Sequence, residues 1–123
     1  MEFAARGTEG RIYPWGQAWS PQLSNSVEDN RKGPMAVGSY PRGATPEGVM
    51  DLAGNVAEWV EDVYAPYPGS LAKPDPNCPG CKSYRGGAFS AQKERLQTTY
   101  RWWDDPNLAF PYLGFRCAKD AAK

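Results

Sequence analysis

The sequence predicts a single, loop-rich α+β domain built on short strands, and three observations carry that expectation. A chain of 123 residues suits one hydrophobic core. Thirteen glycines and twelve prolines punctuate it too often for long helices. Five tryptophans and seven tyrosines supply an aromatic core in place of the aliphatic seam of a helical bundle. Neither repeats nor linkers are evident, so residues 1–123 are read as one domain.

Charge narrows the function classes. Fourteen basic and fourteen acidic residues give a formal net charge of zero, and no field favours nucleic acid or an anionic membrane. No apolar run approaches bilayer length, and the first residues lack a signal-peptide pattern. Three cysteines are too few for a disulfide-stapled secreted domain, which makes a reducing cytoplasm the default expectation.

Taken in order, residues 1 to 16 provide the end of a helix and then a turn at Tyr13-Pro14-Trp15-Gly16. There proline fixes the backbone and Trp15 anchors it in the core. Gln17 to Pro46 reads as loop, with oxygen donors at Ser24-Asn25-Ser26 and Glu28-Asp29-Asn30. Gly48 to Trp59 admits two readings. As an amphipathic helix it groups Val49, Leu52, Ala53, Val56, Trp59 and Val60 on one face and leaves Asp51, Asn55 and Glu58 solvated. As a curled cation-binding loop it offers the carboxylates of Asp51 and Glu58 and the carbonyls of Gly54 and Val56 to Ca2+. A helix would separate the two carboxylates by roughly 10 Å along its axis, and the Gly54-Asn55 pair favours the loop.

Val60 to Tyr64 continues as a half-buried strand into a proline-rich loop, Pro66 to Pro79. Tyr84 to Phe89 is the next strand, with Gly86-Gly87 allowing close backbone approach. Gln97 to Trp103 and Leu113 to Ala118 read as a closing pair, with an exposed loop, Asp104 to Tyr112, between them.

Cys78-Pro79-Gly80-Cys81 has the spacing of a redox pair or half a zinc site. With only Cys117 left and no histidine, zinc lacks its four ligands, and a reduced pair or a local disulfide is the plainer reading. Cys117 reads as buried packing. The absence of histidine also disfavours triad and most iron chemistry. The segment Tyr100 to Asp105, followed by Phe110 and Tyr112, combines aromatic faces, a cation and paired carboxylates suited to a peptide, a protein surface, a sugar or another small ligand. Strand alternation puts Tyr100 and Trp102 on one side and Arg101 and Trp103 on the other. Arg101, Trp103, Asp104, Asp105, Phe110 and Tyr112 are the candidate ligand-binding residues, weighed against a core-filling role for half of the aromatics.

Six segments, matching in the same order along the chain, also carry a resemblance. Gly48 to Trp59 resembles the G-x-x-D-x-x-G-N-V-x-E-W signature of the formylglycine-generating enzyme, or sulfatase-modifying factor, family. Glu2 to Gly7, Tyr13 to Gly16 with Val37 to Pro41, Tyr84 to Gly87, and Gly114 to Ala118 resemble its other signatures. The resemblance implies a C-type-lectin-like fold with short antiparallel strands. It also implies an N-terminal half that this chain lacks, whose absence would expose apolar surface. It assigns one calcium site to Asp51, Gly54, Val56 and Glu58, and a second to Asn25, Ser26, Asp29 and Arg31.

The family's aerobic enzymes bind copper through a cysteine pair. Counting from Gly86-Gly87, those positions hold Ala91 and Leu96, and the preceding serine position holds Ala88. Copper-dependent formylglycine formation is therefore not expected. Ergothioneine-type sulfoxide synthases share the module but place an iron-binding histidine cluster in a separate domain, and this chain contains no histidine. The expected function is a non-catalytic, calcium-stabilised ligand-binding or interaction domain. The alternatives are a diverged oxidase or protein-modifying enzyme completed by an N-terminal half, a variable ligand-binding protein of a diversity-generating retroelement, and a degenerate domain retaining only structure.

Overall fold

The computed structural model describes residues 1–122. The chain opens with helix α1 (Glu2–Arg6), which Gly7 ends at φ 62°. Tyr13 and Gly16 then exchange backbone hydrogen bonds of 2.8 and 2.9 Å, closing the expected proline turn. Three short 3-10 turns, Pro21–Leu23, Val27–Asp29 and Pro41–Gly43, are the regular elements of the long loop that follows.

Gly48 to Val56 is a loop, and the helical reading is set aside. Asp51, Gly54 and Asn55 all take positive φ, at 57°, 79° and 66°, a backbone that no right-handed helix accepts. The bend is fastened by two bonds, Gly54 N–H to the Gly86 carbonyl and Asn55 N–H to the Asn25 carbonyl, each 2.8 Å. The loop runs into β1 (Ala57–Val63), which therefore starts three residues earlier than the sequence suggests.

Strand β2 (Lys82–Arg85) corrects the expected Tyr84 to Phe89 strand. Gly86 and Gly87 stand at φ 91° and 65°, and this left-handed pair turns the chain out of the sheet at Arg85. Strands β3 (Arg101–Asp104) and β4 (Leu113–Gly114) do not form the expected closing pair. The sheet order is β3-β2-β1-β4, which puts them on opposite edges. β2 pairs antiparallel with both β1 and β3, whereas the two-residue β4 lies parallel to β1. Because β4 stops at Gly114, Cys117 lies beyond the sheet and is an exposed free thiol, correcting its expected burial. Cys78 and Cys81 form a disulfide.

The core is small and aromatic. Tyr13, Ala53 and a fully buried Leu96 are packed by Trp15, Trp19 and Ala91. Tyr13 stacks on Trp15 at 5.3 Å between ring centroids, with Trp19 tilted against both. Buried Arg11 ties the helical start to the loops. Its Nε donates to the Ala5 carbonyl, its Nη atoms reach Glu9 and Glu47, and its own carbonyl accepts the Thr98 hydroxyl. Several large apolar side chains remain exposed, among them Phe3, Val37, Leu71 and Phe115.

Candidate functional site

Two clefts flank β1. The first, about 260 Å³, opens where the chain leaves β2. Its floor is Gly87, Ala88 and Ala91, and Tyr84, Arg95, Tyr100, Trp102 and Tyr112 form much of the wall. The floor follows from the glycine pair: a Cβ on Gly87 would lie 2.6 Å from Leu96 Cδ2, so only glycine lets the segment lie flat on that leucine. Ala91 N–H closes the turn on the Ala88 carbonyl at 2.8 Å. The wall follows from sheet register. Tyr84 faces Trp102 across β2 and β3, and Trp59 across β1 and β2, where the two rings meet edge to face at 5.4 Å. Burial raises the Tyr84 phenol to about 12, reinforced by Asp104, Tyr112 and Tyr100 and opposed by Arg95. Tyr84 therefore remains a neutral donor at any physiological pH.

Of the sequence-derived ligand residues, Tyr112 lines this cleft and stacks on Phe110 at 5.0 Å. Arg101 and Trp103 belong to a stack on the opposite side of β3. Trp103 lies 4.0 Å from the Tyr64 ring centroid, while the Arg101 guanidinium covers Tyr64 and Tyr67 at 4.7 and 3.8 Å. Asp104 is half-buried at the end of β3, and Asp105 caps the following turn by accepting from Asn107. Sequence reasoning placed Tyr100 and Trp102 in the aromatic segment without choosing their side for the ligand, and it did not single out Tyr84 or Arg95. Alternation separates Tyr100 and Trp102 from Arg101 and Trp103, but only the sheet order reveals which pair faces the cleft.

The second cleft, about 450 Å³, gathers Asp51, Val56 and Glu58 with Arg116 and the apolar Val37, Met50 and Phe115. Gly54 sits behind it, packed so closely on the next segment that a Cβ there would lie 2.4 Å from the Asn25 carbonyl oxygen. Glu58 is buried, and both of its carboxylate oxygens accept from Arg116. The same guanidinium donates to the Met50 and Asp51 carbonyls at 2.8 and 2.9 Å. Its pKa is raised, first by the hydrogen bonds to Glu58, against an opposing effect of burial. The Asp51 carboxylate accepts the Gly38 N–H at 2.7 Å.

Asn25 and Ser26, from the other predicted calcium site, are both buried. The Asn25 amide nitrogen donates to the Gly33 carbonyl and to Asn55 Oδ1, whereas its own Oδ1 is buried with no partner. Asp29 accepts from Tyr40 and Arg31, and burial followed by the Asp29 hydrogen bond raises the Tyr40 phenol. Among the described residues no three His, Cys, Asp or Glu side chains cluster as a metal site. A cation placed here would have amide and carbonyl oxygens as well as carboxylates to draw on, a donor set suited to hard Ca2+ and not to zinc or copper. The unpartnered Asn25 oxygen fits that requirement. At Glu58, a cation would share its ligand with Arg116.

Short strands, long tethered loops and a cleft beside the sheet define the architecture as C-type-lectin-like. The chain belongs to the family of the sulfatase-modifying factor enzyme 1-like domain, which matches residues 1–121. It is 33% identical to inactive C-alpha-formylglycine-generating enzyme 2 of Mus musculus, covering 99% of this chain and 41% of that one. It is also 33% identical to the formylglycine-generating enzyme of Streptomyces coelicolor, over 98% and 44% of the two chains. Hercynine oxygenase of Mycolicibacterium thermoresistibile is 30% identical over 89% and 27%. The chain thus spans less than half the length of these relatives. Among solved structures, Treponema denticola variable protein 1 superimposes with a TM-score of 0.77 at 22% identity, over 93% and 42% of the chains. PvdO from Pseudomonas aeruginosa gives 0.71 at 27%, over 93% and 47%. No helix among the described residues is long and apolar enough to cross a membrane.

Proposed function

We propose that this chain is a non-catalytic ligand-binding domain of its family, braced by calcium at its loops, with the cleft beside β2 as the binding site. One observation carries the reading. The cleft floor consists of the methyl groups of Ala88 and Ala91, at positions where the family signature has a serine and a cysteine, and Leu96 fills the second cysteine position in the core. No methyl group ligates copper or attacks a substrate, whereas the aromatic wall retains its capacity to bind. The name of the mouse relative, an inactive formylglycine-generating enzyme, agrees with this reading. The calcium part rests on the donor chemistry at Asn25 and at Asp51, Val56 and Glu58.

The test has two arms. A cysteine-containing peptide incubated with the chain, copper and oxygen is expected to keep its cysteine, and its conversion to formylglycine would overturn the non-catalytic reading. Ligand-observed NMR against single-ring fragments is expected to find binders to the wild type that Ala91→Trp, which fills the floor, no longer holds. Finding no binder, or binding indifferent to Ala91→Trp, would remove the cleft as the site.

A further inference from the structure

Resting on that reading of the cleft, the arrangement of its polar groups identifies the ligand class. Three phenols, Tyr84, Tyr100 and Tyr112, line the cavity, and among the described residues none of their hydroxyls has a hydrogen-bond partner. Arg95 stands at the rim with its guanidinium 5.9 Å from the Trp102 ring centroid, and it makes no ion pair with any described carboxylate. The other lining cation, Arg85, is already committed. It pairs with Glu2 at 2.8 Å, donates to the Tyr67 hydroxyl at 2.9 Å and lies against the carbonyls of residues 98–100.

No carboxylate lines the cavity. Asp104, the carboxylate whose charge reaches Tyr84, stands at the end of β3 opposite Lys82 and outside the cavity lining. The free side-chain hydrogen-bonding capacity therefore comprises one guanidinium and four hydroxyls, those of the three tyrosines and of Ser90, all able to donate, framed by flat aromatic walls. A cage built for an ammonium group would pair its aromatic faces with a carboxylate and would not place a guanidinium at the mouth. At about 260 Å³ the cavity is slightly below the range of drug-sized pockets, leaving room for one ring and a small substituent.

We infer that the cleft binds a small aromatic carboxylate, its ring against Trp102 and the tyrosines and its carboxylate on Arg95. Arg95 is the specificity residue, since a guanidinium engages a carboxylate through two parallel N–H bonds, which a lysine ammonium cannot reproduce.

Calorimetry on the full chain with benzoate, benzyl alcohol and benzylammonium tests this. Benzoate is expected to bind at least tenfold more tightly than the neutral alcohol, with benzylammonium weakest. Arg95→Gln is expected to lower benzoate affinity to that of the alcohol while leaving the alcohol unchanged, and Arg95→Lys to restore part of the difference. Arg95 is exposed, so both variants are expected to keep the wild-type melting temperature. Equal binding of all three probes, preference for benzylammonium, or benzoate affinity indifferent to Arg95→Gln would overturn the anion assignment while leaving the cleft a binding site. If none of the three binds, the cleft reading itself falls.

Discussion

Arg116 closes a bidentate ion pair on Glu58, with Nε and Nη2 each 2.5 Å from a carboxylate oxygen. The two residues come from strands or strand ends that meet only at the sheet edge, β1 for Glu58 and the segment after β4 for Arg116. Because the same guanidinium also holds the Met50 and Asp51 carbonyls, it binds the curled loop, the central strand and the C-terminal segment together.

Arg116→Ala is expected to destabilise the chain by about 2 kcal/mol, because it strands a buried carboxylate. The figure falls below that of a fully buried pair, since 38% of the Arg116 side chain is exposed to screening. Arg116→Lys should recover part of the loss, as one ammonium cannot serve both carboxylate oxygens and two carbonyls. Urea denaturation of the three proteins measures this. Equal midpoints would mean that the pair contributes nothing to the fold.

Calcium is expected to raise the melting temperature of the wild type, since an ion that binds only the folded chain stabilises it by mass action. At a free concentration a hundredfold above Kd the gain is about 2.7 kcal/mol. Asp51→Ala/Glu58→Ala and Asn25→Ala divide the effect between the two sets of donors. A shift surviving in one variant and lost in the other locates the ion. Wild type and both variants melting alike at millimolar calcium would remove calcium from the account.

Gly54→Ala is expected to cost more than about 2 kcal/mol. A left-handed backbone alone costs an L-residue about 1–2 kcal/mol, and the added methyl would also lie 2.4 Å from the Asn25 carbonyl oxygen. Gly80→Ala, whose Cβ meets nothing within 4 Å, serves as the control. It is expected to change stability by less than about 0.5 kcal/mol. Thermal melts of both variants decide whether the loop is held as tightly as its geometry implies.

Tyr84 gives a prediction at alkaline pH. Its folded pKa, about 12, exceeds the ordinary value of 10.0, so the fold favours the neutral phenol. The stabilisation is fully present below the unfolded pKa near 10 and is lost as pH rises toward about 12. Phenolate absorbance should show a late-titrating tyrosine that Tyr84→Phe removes. The variant should also lose less stability than the wild type across that interval.

How much was legible in the sequence depended on the range of the interaction that decided each feature. Gly54-Asn55 predicted the curl because positive φ is a property of those residues themselves. Tyr13-Pro14-Trp15-Gly16 predicted its own turn for the same reason. The Gly86-Gly87 pair was visible too, but its effect in ending β2 at Arg85 depends on Leu96, nine residues beyond Gly87, packing beneath it. Alternation along β3 was correctly periodic, yet periodicity assigns sides only relative to one another.

The sequence by itself determined the family, the loop-rich fold class, the aromatic core and the presence of Ala91 and Leu96 where the family signature carries its cysteine pair. These properties depend on local backbone preference, composition and which atoms are present. Tertiary structure decided that β3 and β4 lie on opposite edges, that Arg116 reaches Glu58, that Asn25 buries an unpartnered oxygen, and that Tyr84, Tyr100, Trp102 and Tyr112 share one cleft. Each of these joins residues far apart in the chain. Such contacts are fixed by the order in which strands pair and by the burial that pairing permits, and neither is encoded in any single stretch of residues.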